Sequence, residues 1–290
     1  MKIPLPTLPP GVPRISGVIV ARNEENKIAL ALESVRPLVH EIIFFDMDSS
    51  DRTGAIAESY GATVVRIPQM GGQEPARPLA VAEATGDWIL MFDADEILSP
   101  VLRERLLRLV RDDEADVVSL PRQNYLFGNV MTGALMGPND DRQIRFFKKG
   151  AVEVSPILHF QPYIVPGKRL LNLMHPDDGA IIHFNYVDIS NYLAKFNRYT
   201  QFEASEPTVS SNYTFSRTML KVGWEFVNRY IRKGGYRDGW RGLYISVAMS
   251  FYRFTIWARV CERNEVGTTQ QIEAIYAKEA RIALTNIKGM

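Results

Sequence analysis

Two aspartates one residue apart, Asp93 and Asp95, directly follow an apolar run from Trp88 to Phe92. An uninterrupted apolar run of this length predicts a central parallel strand that is covered on both faces. Open α/β sheets bind ligands at the carboxyl ends of their strands, so both carboxylates are placed where such a sheet does chemistry. Carboxylates on a tight turn suit Mg²⁺ or Mn²⁺ held beside diphosphate oxygens. A solvated turn at the strand end is the alternative interpretation.

Strand-like and helix-like segments alternate before this motif. The strands are predicted at Ile15–Ala21, Glu41–Phe45, Thr63–Ile67 and Trp88–Phe92. The helices between them are predicted from an N-cap at Asn23 to about Arg36, from the acidic turn at Asp46–Thr53 to Gly61, and from Pro75 to about Ala84. This βαβ spacing predicts an α/β fold with a mainly parallel sheet and right-handed crossovers.

A dinucleotide-binding oxidoreductase is disfavoured by the first turn. That class places Gly-x-Gly-x-x-Gly after the first strand, where the amides of the turn approach a pyrophosphate. Here the sequence Ala21-Arg22-Asn23-Glu24 occupies that position. The βαβ half of the chain is therefore expected to be Rossmann-like in architecture without that fingerprint.

Four segments together carry a family resemblance. In chain order they are Ile19-Val20-Ala21-Arg22-Asn23-Glu24-Glu25, Asp46-Met47-Asp48-Ser49-Ser50-Asp51-Arg52-Thr53, Ala76-Arg77, and Thr85-Gly86-Asp87-Trp88 with Asp93-Ala94-Asp95. Their order and spacing resemble those of family 2 glycosyltransferases with the GT-A fold. The resemblance covers residues 15–185, and two positions depart from it: Met47, where an acid is common, and Pro78, where a small polar residue often follows the arginine.

The resemblance implies an inverting transferase that uses a nucleotide-activated sugar, UDP-linked, and a divalent cation, Mn²⁺ or Mg²⁺. It implies that the turn at Ala21, Arg22, Asn23 and Glu24, together with Asp46, holds the base and ribose. Arg77 would face the diphosphate, and Asp93 and Asp95 would hold ribose, sugar and metal. As alternatives, the two arginines are plain surface charges at loop ends, and Asp51 is expected to cap a helix rather than bind a ligand.

Inverting transfer needs a general base within hydrogen-bond reach of the acceptor hydroxyl. Asp140 and Asp141 are the candidates, because they precede a strand that should return toward the sheet; a turn that only caps the loop is the alternative. His159 resembles the His-Glu element of lipopolysaccharide-core glucosyltransferase-like members. Phe160 replaces the acid there, so the resemblance leaves His159 as a metal ligand or a structural histidine.

The segment from Ile182 to Ala204 is similar to the helical extension of the same subgroup, which adds sugars to lipid-linked or lipopolysaccharide acceptors. His183 and Lys195 are candidates for contacting the acceptor or the diphosphate, with helix packing as the alternative. We therefore expect three regions: an extended lead-in at 1–14, a catalytic domain at 15–185, and a helical, basic and aromatic extension at 186–290.

The extension is expected to lie on a membrane surface. Residues 211–260 hold nine Lys or Arg against two acids. Phe215–Lys233 places Met219, Val222, Phe226 and Tyr230 at helical spacing with basic residues on the other side, as in interfacial helices. The apolar segment Leu243–Tyr252 is too short to span a bilayer. A basic helix pair packed on the catalytic domain, or a homo-oligomer interface, is the alternative.

Composition limits the remaining possibilities. The single cysteine, Cys261, excludes a disulfide framework, and residues 1–13 lack the apolar core of a signal peptide. We expect a cytoplasmic protein, peripheral to the inner face of a membrane, that acts on a lipid-linked or envelope glycan and binds no nucleic acid. Two other classes are alternatives: an inactive membrane-associated scaffold of the same fold, and a phosphatase that uses Asp-x-Asp, which Ile97 and the late position of the motif disfavour.

Overall fold

The computed structural model describes residues 3–6, 11–157, 161–205 and 214–287, with side chains described up to residue 284. The predicted metal ligand His159 and the neighbouring Phe160 lie outside the described residues. The chain divides into two units, Met1–Val187 and Asp188–Met290. The first contains the sheet and the second is helical.

Twelve strands lie in the described part of the first unit. They are β1 (Ile15–Ala21), β2 (Glu41–Asp46), β3 (Thr63–Arg66), β4 (Trp88–Phe92), β5 (Glu96–Leu98), β6 (Val117–Leu126), β7 (Asn129–Val130), β8 (Arg142–Lys148), β9 (Val152–Glu153), β10 (Tyr163–Ile164), β11 (Leu170–Asn172) and β12 (Ile181–Tyr186). Strands β9 and β10 pair with each other. The other ten form one sheet in the order β3-β2-β1-β4-β8-β6-β12-β5, with β7 and β11 also paired to β6.

The parallel half of this sheet agrees with the sequence prediction. Strands β3, β2, β1 and β4 are all parallel, so their carboxyl ends share one edge. Every residue of β4 is buried. Apolar side chains cover both faces of the sheet, with Leu90 and Phe92 in one core cluster and Ile89 and Met91 in the other. The first unit has four helices in its described ranges: α1 (Ile28–Val35), α2 (Thr53–Ser59), α3 (Arg77–Glu83) and α4 (Pro100–Asp112).

The other half of the sheet is mixed rather than parallel. Strand β8 lies between β4 and β6 and runs antiparallel to both. The apolar run Val117–Leu120 alone predicts a short strand, but strand β6 continues as far as Leu126. Pro121 and the polar residues after it are typical of a strand end. Here the strand continues because β12 pairs with it in parallel, with His183 opposite Asn124.

The predicted N-cap at Asn23 is wrong. Helix α1 begins at Ile28, and Asn23 adopts a left-handed backbone conformation with φ of 56°. The turn before α1 is held by the turn after β2: the amides of Asn23, Glu24 and Glu25 donate to side chains at Ser49, Thr53 and Asp51. The side-chain oxygens of Ser49, Thr53 and Asp51 thus accept from amides that the first turn of a helix starting at Asn23 would have left unpaired.

The described residues of the second unit form the α-helices α5 (Ile189–Ser205), α6 (Phe215–Phe226), α7 (Gly239–Glu265) and α8 (Thr269–Ile287). The helix predicted over Phe215–Lys233 is regular only to Phe226, and a π-helical turn, Val227–Arg232, follows it. The apolar segment Leu243–Tyr252 forms the middle of α7, a helix of 27 residues. None of the helices in the described ranges combines the length and apolar character needed to cross a membrane.

The predicted apolar face of α6 points partly inward. Met219, Val222, Phe226 and Tyr230 are each partly buried. A second apolar series along α6 and the π-helical turn is exposed instead: Leu220, Trp224, Val227 and Ile231. Helix α7 has a matching exposed series, Trp240, Leu243, Val247 and Phe251. The predicted division into one apolar and one basic side is therefore wrong, because these helices are apolar on two sides.

Candidate active site

Asp93, the residue directly after β4, is held between two arginines. Its Oδ1 accepts a hydrogen bond of 2.8 Å from Nη2 of Arg77, at the start of α3. Its Oδ2 accepts one of 2.6 Å from Nη2 of Arg145, on β8. Burial opposes ionisation of Asp93, but the charges of Arg145 and Arg77 outweigh it and hold the pKa of this carboxyl well below its usual range. The structure therefore joins the predicted residues Asp93 and Arg77.

Glu96, a fully buried carboxylate, lies next to Asp93 and its arginine partner Arg145. Its Oε2 accepts a hydrogen bond of 3.0 Å from the amide of Asp93. Its Oε1 lies 3.4 Å from Nη1 of Arg122 and 3.9 Å from Nη2 of Arg145. Nη1 of Arg145 is buried and has no hydrogen-bond partner among the described residues. Glu96 thus adds negative charge between two largely buried guanidinium groups, which also pair with Asp93 and Asp141, and so offsets part of the cost of burying them.

Asp141 belongs to the same network. Arg122 donates to both of its oxygens, from Nε at 3.0 Å and from Nη2 at 3.1 Å. The side-chain amides of Asn124 and Gln143 donate at 2.7 Å and 2.8 Å. Burial raises the pKa of Asp141, but Arg122 and these hydrogen bonds outweigh it and lower the pKa. Asp140, the neighbouring candidate base, is exposed.

His183 on β12 faces Asp95. Its Nε2 lies 3.6 Å from Oδ1 of Asp95, which is too long for a hydrogen bond. Its Nδ1 lies 2.7 Å from Oδ1 of Asn124, a fully buried residue on β6. An imidazole anchored through one nitrogen with the other facing a carboxylate is a common arrangement around bound metal ions.

The predicted base and ribose site lies on the same edge of the sheet. Ala21 and Asp46 are paired across β1 and β2, and both are buried. Oδ1 of Asp46 accepts a hydrogen bond of 2.9 Å from the amide of Ser49. A Cβ at Gly54 would lie 2.7 Å from Oδ2 of Asp46, so the glycine leaves room for this carboxylate. Arg22 and Asn23 are exposed and Glu24 is half-buried at the same turn.

The carboxylate oxygens of Asp95 and the imidazole nitrogen of His183 are suitable ligands for a cation such as Mn²⁺. Within the described residues, no group of three or more His, Cys, Asp or Glu side chains is arranged to hold a metal ion. A metal ion at Asp95 and His183 would therefore need further ligands other than these side chains, as a cation held beside phosphates does. The two guanidinium groups on Asp93 disfavour a cation at that carboxylate.

Sequence reasoning missed four members of the site. Glu96, Arg122, Asn124 and Arg145 were not predicted to belong to it, and His183 was predicted to contact acceptor or diphosphate. The run Arg122-Gln123-Asn124 was the available signal, since three consecutive polar residues in a largely apolar strand need partners when they are buried. Arg145, placed between apolar residues of β8, gave a similar signal.

A family model described as glycosyl transferase family 2 matches residues 16–162. Several relatives match most of the chain, including these two. One is an uncharacterized glycosyltransferase of Rickettsia felis, 26% identical over 86% of this chain and 90% of that protein. The other is the lipopolysaccharide core biosynthesis glycosyltransferase LpsC of Rhizobium meliloti, 26% identical over 93% of this chain and 98% of LpsC.

Among solved structures, the chain is similar to glucosyl-3-phosphoglycerate synthase from Mycobacterium tuberculosis in complex with Mn²⁺, UDP and glucosyl-3-phosphoglycerate. That match has a TM-score of 0.33 and 28% sequence identity. It covers 39% of this chain and 44% of the synthase, so the chain spans less than half of that structure's length.

Proposed function

The chain belongs to glycosyl transferase family 2, and we propose that it transfers a sugar, with inversion, from a UDP-sugar to a lipid-linked or envelope glycan. The observation that carries this proposal is the grouping of Asp93, Asp95, Arg77 and Arg145 at the carboxyl end of β4. Similarity to LpsC over nearly the full length of both chains supports an acceptor of the lipopolysaccharide type.

The donor would lie along the edge formed by β1, β2 and β4. We assign the uracil and ribose to the turn at Ala21, Arg22, Asn23 and Glu24 and to the buried Asp46. Arg77 has a side chain that is about one-fifth exposed, 18%, so it can donate to a diphosphate oxygen while it holds Asp93. Asp93, whose charge is fixed by two arginines, would accept hydrogen bonds from donor hydroxyl groups.

Asp95 and His183 would hold the metal ion. When bound, Mn²⁺ or Mg²⁺ supplies positive charge that stabilises the diphosphate as the glycosidic bond breaks. The chain's own contribution is to present one carboxylate oxygen and one imidazole nitrogen to the same point. We assign Asp93 to the sugar side of the site rather than to the metal, because Arg77 and Arg145 already occupy both of its oxygens.

Binding measurements across UDP-, GDP- and TDP-sugars test the donor assignment. We expect one UDP-sugar to bind in the presence of Mn²⁺ and to bind much more weakly after EDTA is added. Preference for a nucleotide sugar with another base would show that the donor is not UDP-linked, and it would leave the fold and the proposed site unchanged. No binding across the whole panel by the folded protein would contradict the enzyme and support the inactive scaffold.

One carboxylate of the pair Asp140 and Asp141 would accept the proton of the acceptor hydroxyl. Asn substitution of the base should lower the transfer rate by about 10²–10⁴-fold, while substitution of its neighbour should have a much smaller effect. Asp141 is already bound by Arg122, Asn124 and Gln143, whereas Asp140 is exposed. Rates of both Asn variants decide between them, and near-wild-type rates in both would exclude the pair.

The second unit would bind an anionic membrane surface. Its exposed apolar series on α6 and α7 lie among cations: Arg232 is 5.0 Å from the ring of Trp224, and Arg241 is 4.8 Å from the ring of Trp240. Aromatic rings beside arginines suit the region between lipid headgroups and acyl chains. Basic residues near an anionic leaflet add about 1 kcal/mol each.

We expect the protein to sediment with vesicles that contain phosphatidylglycerol and not with pure phosphatidylcholine vesicles. Leu220→Ser with Trp224→Ser should reduce this binding several-fold, because it removes apolar area from the exposed series. Ile275→Ser, at an exposed apolar position on α8, is the matched control. Unchanged vesicle binding in the double variant, or a dimer that the same variant dissociates, would favour a protein interface over a membrane.

A further inference from the structure

Asn124 has hydrogen-bond partners that determine which way its side-chain amide points. Its Nδ2 lies 2.7 Å from Oδ2 of Asp141 and 3.0 Å from the carbonyl oxygen of Met136. Both partners only accept hydrogen bonds, so the NH₂ group must face them. The reverse orientation would place three oxygens against one another in a site with no exposure to solvent. The carbonyl oxygen of Asn124 therefore faces His183.

The orientation of Asn124 fixes the proton on His183. An amide oxygen only accepts, so Nδ1 of His183, 2.7 Å away, must carry the hydrogen and donate it. In a neutral imidazole the other nitrogen then has no hydrogen and keeps its lone pair. That nitrogen, Nε2, is the one 3.6 Å from Oδ1 of Asp95.

Asp141 is itself held in place, which keeps the arrangement rigid. Arg122 donates to both oxygens of Asp141, and Gln143 donates to one of them. The backbone supports the same register, because His183 and Asn124 are paired partners on β12 and β6. Arg122 thus fixes the carboxylate of Asp141, this carboxylate fixes the amide of Asn124, and the amide fixes the imidazole of His183.

We propose that Asn124 is a positioning residue that holds His183 in the tautomer with the Nε2 lone pair directed at Asp95. This inference rests on the proposed metal site formed by Asp95 and His183. In addition, the side-chain amide of Asn124 contacts both the candidate base Asp141 and the proposed metal ligand His183. Substitutions on the Asp141 side are therefore expected to change metal affinity.

Nitrogen NMR of metal-free protein with labelled histidine, at about pH 8.5 where an ordinary histidine is neutral, tests the tautomer directly. The chain has four histidines, His40, His159, His175 and His183, so the signals can be assigned by single substitutions. We expect the hydrogen of His183 on Nδ1 in the wild-type protein. We expect Asn124→Leu to lose this preference. A wild-type hydrogen on Nε2 overturns the inference, even if no variant folds.

Binding of Mn²⁺ in the presence of UDP measures the consequence. Loss of a residue that orients a metal ligand typically costs about 10–100-fold in affinity, and we expect a loss in that range for Asn124→Leu. Leu120→Ala, a buried substitution on the same strand, controls for general destabilisation and should bind Mn²⁺ like the wild type. Equal losses in Asn124→Leu and Leu120→Ala overturn the positioning role. Absence of Mn²⁺ binding in the wild type instead overturns the metal site, whereas the tautomer measurement still decides the role of Asn124.

Discussion

Asp95→Asn is expected to lower the rate of sugar transfer by about 10²–10³-fold, the usual cost of removing one group that stabilises transition-state charge. The substitution keeps the shape of the side chain and removes its negative charge. It therefore removes the carboxylate that faces Nε2 of His183 at 3.6 Å. Steady-state rates with the donor and acceptor at saturation measure the effect.

Asp112→Asn is the matched control for this substitution. Asp112 ends α4, and its side chain is more than half exposed and 3.5 Å from Arg111. We expect this variant to keep the wild-type rate. Circular dichroism should show both variants folded. A folded Asp95→Asn protein with wild-type activity would remove Asp95 from the catalytic site.

Glu96→Ala is expected to lower the free energy of unfolding of the first unit by about 3–5 kcal/mol, as when one partner of a buried ion pair is removed. Glu96 has no solvent exposure and lies against Arg122 and Arg145, whose side chains are 16% and 6% exposed. Without it, two guanidinium groups keep their positive charge in a buried site with less compensation. Urea denaturation followed by circular dichroism measures the change.

Glu114→Ala serves as the comparison because it removes a short ion pair near the surface. Glu114 lies 2.6 Å from Arg105, with its side chain 35% exposed. Exposed pairs contribute about 0–1 kcal/mol, so we expect a small change. If both variants lost the same small amount of stability, Glu96 would not be the charge that supports the arginines.

The GT-A fold and the transferase class were predictable from sequence, and both predictions are confirmed. Strand β4 was predicted with its correct bounds, Trp88–Phe92, because an apolar run that is buried on both faces has a clear local pattern. The shared edge of β1, β2 and β4 followed from the alternation of strands and helices. These features depend on short-range periodicity, which a single sequence contains.

The interior of the site depends on long-range pairing, which a single sequence does not show. Arg145 is 52 residues from its partner Asp93, and Asn124 is 59 residues from His183. No local pattern relates these pairs. The direction of β8 and the second half of β6 were missed for the same reason: each is determined by neighbouring strands that are distant in the chain. The assignment of Asp93, Asp95, Asp140, Asp141 and His159 to catalysis or metal binding remains a prediction.

Release of UDP from a UDP-sugar measures the metal-dependent turnover that we propose for this site. The protein would be assayed with Mn²⁺, then with excess EDTA, then with Mn²⁺ restored, with Asp95→Asn and Asp112→Asn in parallel. We predict UDP release that stops with EDTA, returns with Mn²⁺, and is retained in Asp112→Asn but lost in Asp95→Asn. UDP release that continues undiminished in EDTA, or at the wild-type rate in Asp95→Asn, would contradict a metal-dependent transfer at Asp95.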